Sequence, residues 1–140
     1  MPAPEIQLAD GAHSELAVAL LHAIASTLER HPERVQALAA MHDRVLVRAE
    51  DTGEAVTLVF AGGGLRIEDG DTGAAPIRIV GDRETILALT RLPLRRGLPD
   101  LTSDPGRLVF KRQLGGELTV RGLLLRLPQV RHLLQVLAGG

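Results

Sequence analysis

The sequence predicts an α+β fold: a five-stranded, mostly antiparallel sheet covered on one face by helices. Three observations carry this. Five short runs alternate apolar with polar residues, helical spacing of apolar residues occurs before and after them, and glycine- and aspartate-rich turns separate them. Successive side chains on a strand point to opposite faces, so a period of two means one apolar and one wet face. A sheet of this kind is covered on one side only, and the apolar side needs a partner.

The runs are short and regular. Arg44-Val45-Leu46-Val47-Arg48-Ala49 places Val45, Val47 and Ala49 on one side, and Val56-Thr57-Leu58-Val59-Phe60 does the same with Val56, Leu58 and Phe60. Leu65-Arg66-Ile67-Glu68 and Ile77-Arg78-Ile79 put charge at every other position, and Glu117-Leu118-Thr119-Val120-Arg121 follows some forty residues later. Between them, Asp51-Thr52-Gly53-Glu54 and Asp69-Gly70-Asp71-Thr72-Gly73 are turn chemistry, and Gly62-Gly63-Gly64 supplies the positive φ of a tight hairpin.

Before the sheet, residues 1–12 read as a poorly ordered leader. Leu16, Leu20, Ala23, Ile24, Thr27 and Leu28 then mark an amphipathic helix over Ser14 to Arg30, with Glu15 near its positive end and Arg30 near its negative end. A short second helix opens at Pro32, a favoured first helical residue, and carries Val35, Leu38 and Met41. After the fourth strand, Asp82 caps a short helix with Ile86, Leu87 and Leu89. Residues 91–107, rich in Pro, Gly and Arg, read as a loop, and Leu108-Val109-Phe110 re-enters the core. Pro128 opens a last helix with Val130, Leu133, Leu134 and Leu137 at i, i+3, i+4 and i+7, preceded by Leu123, Leu124, Leu125 and Leu127.

Composition bounds the chemistry. A chain of 140 residues, 45% apolar, is expected to fold as one domain over 1–140. Its net charge of −1 provides no global basic field, and two Phe with no Trp or Tyr provide no stacking platform, so nucleic acid is not an expected partner. The absence of cysteine excludes disulfides and thiolate metal sites and fits a reducing, cytoplasmic setting. The start Met1-Pro2-Ala3-Pro4-Glu5-Ile6 lacks a basic n-region, so no secretory signal is expected, and no apolar stretch reaches the roughly 18 residues of a membrane span.

Catalytic and metal patterns fail their context tests. His13, His22 and His31 are nine residues apart, so neighbours face opposite ways on a helix, and His42 and His132 add no ligand spacing. Asp69-Gly70-Asp71 lacks the EF-hand spacing and terminal glutamate. The Gly62–Gly64 run joins two strands rather than a strand and a helix, so it is no phosphate cradle. No serine sits in a nucleophile elbow, and no nucleophile is paired with a base. No enzyme activity, metal or cofactor is expected.

The order of elements resembles the sterol carrier protein 2 (SCP2) domain. It runs helices, three antiparallel strands, a fourth strand Ala75-Pro76-Ile77-Arg78-Ile79-Val80, a short helix with Ile86-Leu87-Ala88-Leu89, a segment with Phe110, the glycine-bounded strand Gly116 to Gly122, and a leucine-rich helix. The resemblance spans roughly residues 35–138. It implies non-enzymatic binding or transfer of a fatty acyl, sterol or isoprenoid lipid in an apolar tunnel between sheet and helices. It also implies a second role, an accessory factor presenting a lipid intermediate to a partner enzyme complex such as that of isoprenoid quinone synthesis. The ending Leu137-Ala138-Gly139-Gly140 differs from the Ser-Lys-Leu peroxisomal address of animal members, so no such address is expected.

Taken singly, each buried leucine or valine is an ordinary core residue. The resemblance makes them a candidate lining: Val45, Val47, Val56, Leu58, Phe60, Leu65, Ile67, Ile77, Ile79, Ile86, Leu89, Phe110, Leu118, Val120, Leu124, Val130, Leu133, Leu134 and Leu137. A second feature is the basic group Arg91, Arg95, Arg96, Arg107, Lys111 and Arg112, opposed only by Asp100 and Asp104. It is either a solvated face or a transient docking surface for anionic lipid headgroups.

Overall fold

A computed structural model describes residues 6–9, 11–12, 14–71, 73–95, 98–122 and 125–139. The elements are β1 (Ile6–Leu8), α1 (Glu15–Arg30), a 3₁₀ turn (Pro32–Arg34) running into α2 (Val35–Ala40), β2 (Arg44–Ala49), β3 (Glu54–Ala61), β4 (Gly64–Asp69), β5 (Ile77–Gly81), α3 (Arg83–Leu89), β6 (Leu94–Arg95), β7 (Leu98–Pro99), α4 (Asp104–Leu114), β8 (Thr119–Arg121) and α5 (Leu127–Leu137). The fold is α+β, with helices against one face of the main sheet.

That sheet has six strands in the order β1-β4-β3-β2-β5-β8, one more than the sequence predicts. The addition is β1, which pairs parallel with β4 through Ile6↔Leu65 and Leu8↔Ile67. Ile6–Leu8 is therefore part of the sheet rather than of a leader; three residues are too few to show a period. Residues 1–5 lie outside the described residues. The pairs β2–β3, β3–β4 and β5–β8 are antiparallel, whereas β5 lies parallel to β2. The fifth expected strand is shorter than its pattern and begins at Thr119.

Register follows parity. Val45 faces Leu58 and Ile77, Val47 faces Val56 and Ile79, Leu58 faces Ile67, Phe60 faces Leu65, and Ile79 faces Val120. Apart from Ala49, which faces Glu54 and Gly81, and Leu118, which precedes β8, the apolar positions of the alternating runs thus meet others of the same parity, because a one-residue slip would turn a whole strand over. The β3–β4 hairpin is held by Gly62 and Gly63, with φ of 61° and 80°. Two positive φ values in a two-residue loop match the right-handed twist of the strands, and glycine adopts them without strain.

Helix α1 begins where its sequence says. Ser14 accepts from the Ala17 N–H at 3.1 Å and donates its hydroxyl to Asp69 at 2.7 Å, while Glu54 accepts from the Leu16 N–H at 3.1 Å. Two strands thereby satisfy the free end of the helix and fix its direction over the sheet. Leu16, Leu20, Ile24 and Leu28 bury its stripe against the apolar face. At the other end of the chain, α5 is tied twice. Gln129 accepts from the His42 N–H at 3.0 Å and donates to the Ala40 carbonyl at 3.1 Å, and Arg34 donates to the Ala138 carbonyl at 2.6 Å.

Residues 91–107 are not a plain loop. They hold the small β6–β7 hairpin and the first turn of α4. Ser103 caps α4 by accepting from the Gly106 N–H at 3.0 Å, and Pro105 sits in the first turn, where its missing N–H costs nothing. Helix α4 packs on α3. Gly106 is required there, since a Cβ would stand 2.1 Å from the Asp100 carbonyl oxygen.

Asp100 holds the turn that seats α4. The Thr102 hydroxyl, at 2.5 Å, and the Thr102 N–H, at 3.0 Å, keep its carboxyl below its ordinary value of 3.8. A carboxyl depressed in the fold stabilises it above the unfolded value, and that contribution is lost as pH falls through the folded value. Acidification below about pH 4 is expected to lower the protection of the amides of residues 100–103 relative to their intrinsic exchange rates. Asp100→Asn keeps an acceptor that does not titrate, so its exchange should lack this acid dependence; an identical acid response in both proteins would assign it elsewhere.

Candidate ligand-binding site

The apolar face of the sheet has two halves. Over β1, β4 and β3, α1 lies directly on the strands, and Val45, Val47, Val56, Leu58, Phe60, Leu65, Ile67 and Ile77 are at most 3% exposed in a packed core. Ile86 of α3 joins them at 1%. Among the described residues, these nine do not border the cavity at the β5–β8 edge; their strand parity is as expected, and they pack in the hydrophobic core under the helices.

Toward the β5–β8 edge the packing opens. A cavity of ≈ 230 Å³ lies between β5, β8, the end of α3, α4 and α5. Ile79, Leu89, Phe110, Leu118, Val120, Val130, Leu133, Leu134 and Leu137 border it, as do Leu92, Pro99, Leu101, Val109 and Gln113. Gln113 is the one polar side chain on this wall among the described residues. Leu124 lies outside the described residues. The five lining residues not anticipated all belong to the segment from the end of α3 through α4. For the two on α4, Val109 and Gln113, the signal was present in Ser103-Asp104-Pro105, a cap with proline in the first turn.

Strands β5 and β8 and helices α3, α4 and α5 position the wall. On α5, Val130, Leu133, Leu134 and Leu137 share one stripe because their spacing repeats that of the helix. On α4, Val109 is buried at 8% while Phe110 is 47% exposed. Phe110 therefore does not enter the core as expected. It stands at the rim, with Leu101, which is equally exposed and also borders the cavity.

The basic residues divide. Arg91, Arg95, Arg107 and Lys111 are exposed, and Arg96 lies outside the described residues. Arg95 approaches the half-buried Asp100 at 3.7 Å, and Arg107 approaches Asp104 at 2.9 Å in an exposed pair, which is worth little. Arg112 is not part of an open basic surface. Its guanidinium pairs with Glu117, whose hydrogen bond and charge raise its pKa further. No group of three or more His, Asp or Glu among the described residues is placed to hold a metal ion, and no helix among them is long and apolar enough to cross a membrane.

Neither a protein-family model nor a curated protein matches the sequence. Among solved structures, the chain is similar to a UbiJ-SCP2 ubiquinone synthesis protein at 14% identity and a TM-score of 0.60, over 86% of this chain and 91% of that one. It is also similar at 18% identity and a TM-score of 0.46 to a conserved protein of Thermus thermophilus described as a candidate sterol carrier protein, over 91% of this chain and 90% of that one. The fold assignment rests on the first of these. The chain has the SCP2-like fold.

Proposed function

We propose that this protein binds the chain of a lipid-like molecule, non-covalently and without catalysis, in the cavity between the β5–β8 edge and α3, α4 and α5. The observation that supports this is a wall of aliphatic and aromatic side chains with Gln113 as its one polar member among the described residues. Such a wall favours apolar atoms and offers little to orient a polar group. Size narrows the class. The ≈ 230 Å³ here exceeds the about 150 Å³ of a dry cavity that takes up benzene, and is smaller than the about 300 Å³ where drug-sized sites begin. A segment of fatty acyl or isoprenoid chain fits that space better than a fused sterol ring system. The similarity to a ubiquinone synthesis protein favours a second reading, in which a cytoplasmic accessory factor presents a lipid intermediate to a biosynthetic complex.

Titration with a fluorescent fatty acid or polyprenyl probe tests the first reading. Saturable binding is expected for the native chain. It should be lost in Val130→Trp, because Val130 is 6% exposed on the cavity wall and the indole would occupy the void rather than crowd a filled core. Absence of saturable binding for every long-chain lipid class would remove the carrier reading, and unchanged binding in Val130→Trp would move the ligand elsewhere.

A further inference from the structure

The chain has two phenylalanines and no other aromatic side chain except its histidines. Phe60 is spent in the core at 3% exposure, but Phe110 is left 47% exposed. Leu114, one turn further along α4, is 73% exposed, and the neighbouring segment adds Leu98 at 61% and Leu101 at 47%. Single exposed leucines need no explanation; a cluster beside an apolar cavity does.

Helix α4 sorts its residues sharply. At 3.6 residues per turn, Arg107, Phe110, Lys111 and Leu114 fall within one outward sector. Val109, on the opposite side, is buried, and Gly106, beneath Phe110, is covered by the Asp100 carbonyl. The outward sector therefore pairs two large apolar side chains with two cations. Among the described residues Lys111 has no ion pair, and the one acid paired with this sector is Asp104, in the exposed bridge to Arg107. Basic and apolar residues side by side on one helical face suit the boundary between phosphate headgroups and acyl chains. The face is continuous with the cavity, because Phe110 and Leu101 belong to both the cavity wall and the exposed surface.

We propose that the outward face of α4 docks the protein on anionic bilayers, with Phe110 and Leu114 entering the acyl region and Arg107 and Lys111 meeting lipid phosphates, so that the cavity mouth faces the membrane. The role of the cavity in this arrangement rests on the lipid-binding reading above; the docking itself does not. Of the basic residues in this region, Arg107 and Lys111 carry the contact, whereas Arg112 is held on another side by Glu117.

The test uses the lack of tryptophan in the chain. Leu114→Trp introduces a single fluorophore at an exposed position that does not border the cavity. Its emission is expected to shift to shorter wavelength, and to be quenched by brominated acyl chains, with vesicles of phosphatidylcholine plus phosphatidylglycerol and not with phosphatidylcholine alone. Removing both cations in Arg107→Ala, Lys111→Ala should weaken association about 25-fold at low salt, since each basic residue near an anionic surface is worth a factor of about five. Leu114→Ser should also weaken it. Neither change touches the cavity wall, so both variants should bind a fluorescent fatty acid in solution as the native chain does. No association with either vesicle, equal association with both, or no effect of the double substitution would overturn the proposal and leave this face to a protein partner or to solvent. Vesicle docking without fatty-acid binding would retain the docking face and remove the lipid-carrier reading, and fatty-acid binding without docking would do the reverse.

Discussion

Leu133→Asp is expected to leave the chain unfolded at neutral pH. Leu133 is 2% exposed on α5, on the wall of the cavity. Truncating such a leucine costs about 2–5 kcal/mol in lost packing. Burying a carboxylate among these side chains adds a penalty of several kcal/mol, because no cation among the described residues of this wall is available to pair with it. The sum is comparable with the about 5–15 kcal/mol that holds a typical domain together. Burial pushes the new carboxyl's pKa up, so the destabilisation is full above the raised value and shrinks as pH falls toward the ordinary one. Far-UV circular dichroism should thus show structure returning to the variant on mild acidification, where the native chain gains nothing. Leu133→Ala should stay folded, melting about 3–5 °C lower per kcal/mol lost, and keep a larger cavity. Arg131→Gln, on the exposed side of the same helix, should change neither property. Native-like melting of Leu133→Asp would mean that α5 does not close the core at this position.

Gly122→Ala is expected to have the second largest effect, and for a different reason. Gly122 joins β8 to the approach to α5 with φ at 84°, and a Cβ there would stand 2.2 Å from the Pro76 carbonyl oxygen and 3.4 Å from the Ile77 Cα. The left-handed conformation alone costs an L side chain about 1–2 kcal/mol. The approach adds more, since the obstruction is backbone at the start of β5 and cannot rotate away. Moving it disturbs Arg78↔Arg121 and Ile79↔Val120, the pairing that carries part of the cavity wall. Gly116→Ala supplies the comparison: its φ is 76°, yet nothing lies within 4 Å of the added Cβ. It should lose only the conformational part. Thermal melts of the two variants therefore separate backbone strain from close approach, and equal losses would show that β5 yields freely at Pro76. Probe binding should fall with Gly122→Ala and survive Gly116→Ala.

Much of the sheet was legible because strand parity is a local property. Val45, Val47, Val56, Leu58, Ile67 and Ile79 lie on one face whatever the strand order, and the glycine pair at 62–63 announces its hairpin. The parallel pairing of β2 with β5 was not legible, since alternation is the same in parallel and antiparallel strands. Helix α4 was hidden by its composition. Pro105 and Gly106 read as loop residues, but one occupies a first-turn position that tolerates proline and the other answers the Asp100 carbonyl, which is remote from any sequence pattern. Phe110 misled for the same reason: a large apolar side chain is expected inside, and only the placement of α4 leaves it at a rim.

By itself, then, the sequence determined which residues alternate, where helices carry apolar stripes, and which face of the sheet must be covered. These follow from backbone periodicity and the transfer of apolar surface out of water, both of which act residue by residue. Only the tertiary structure decided where that cover is tight and where it leaves a cavity. The same parity places Leu58 under α1 and Ile79 beside the void, because α1 lies directly on one half of the sheet whereas α4 packs on α3 at the other. It also decided the fate of the charges: Arg112 reaches Glu117 while Lys111, its neighbour in sequence, stays open to solvent, since adjacent residues on a helix diverge by a quarter turn or more.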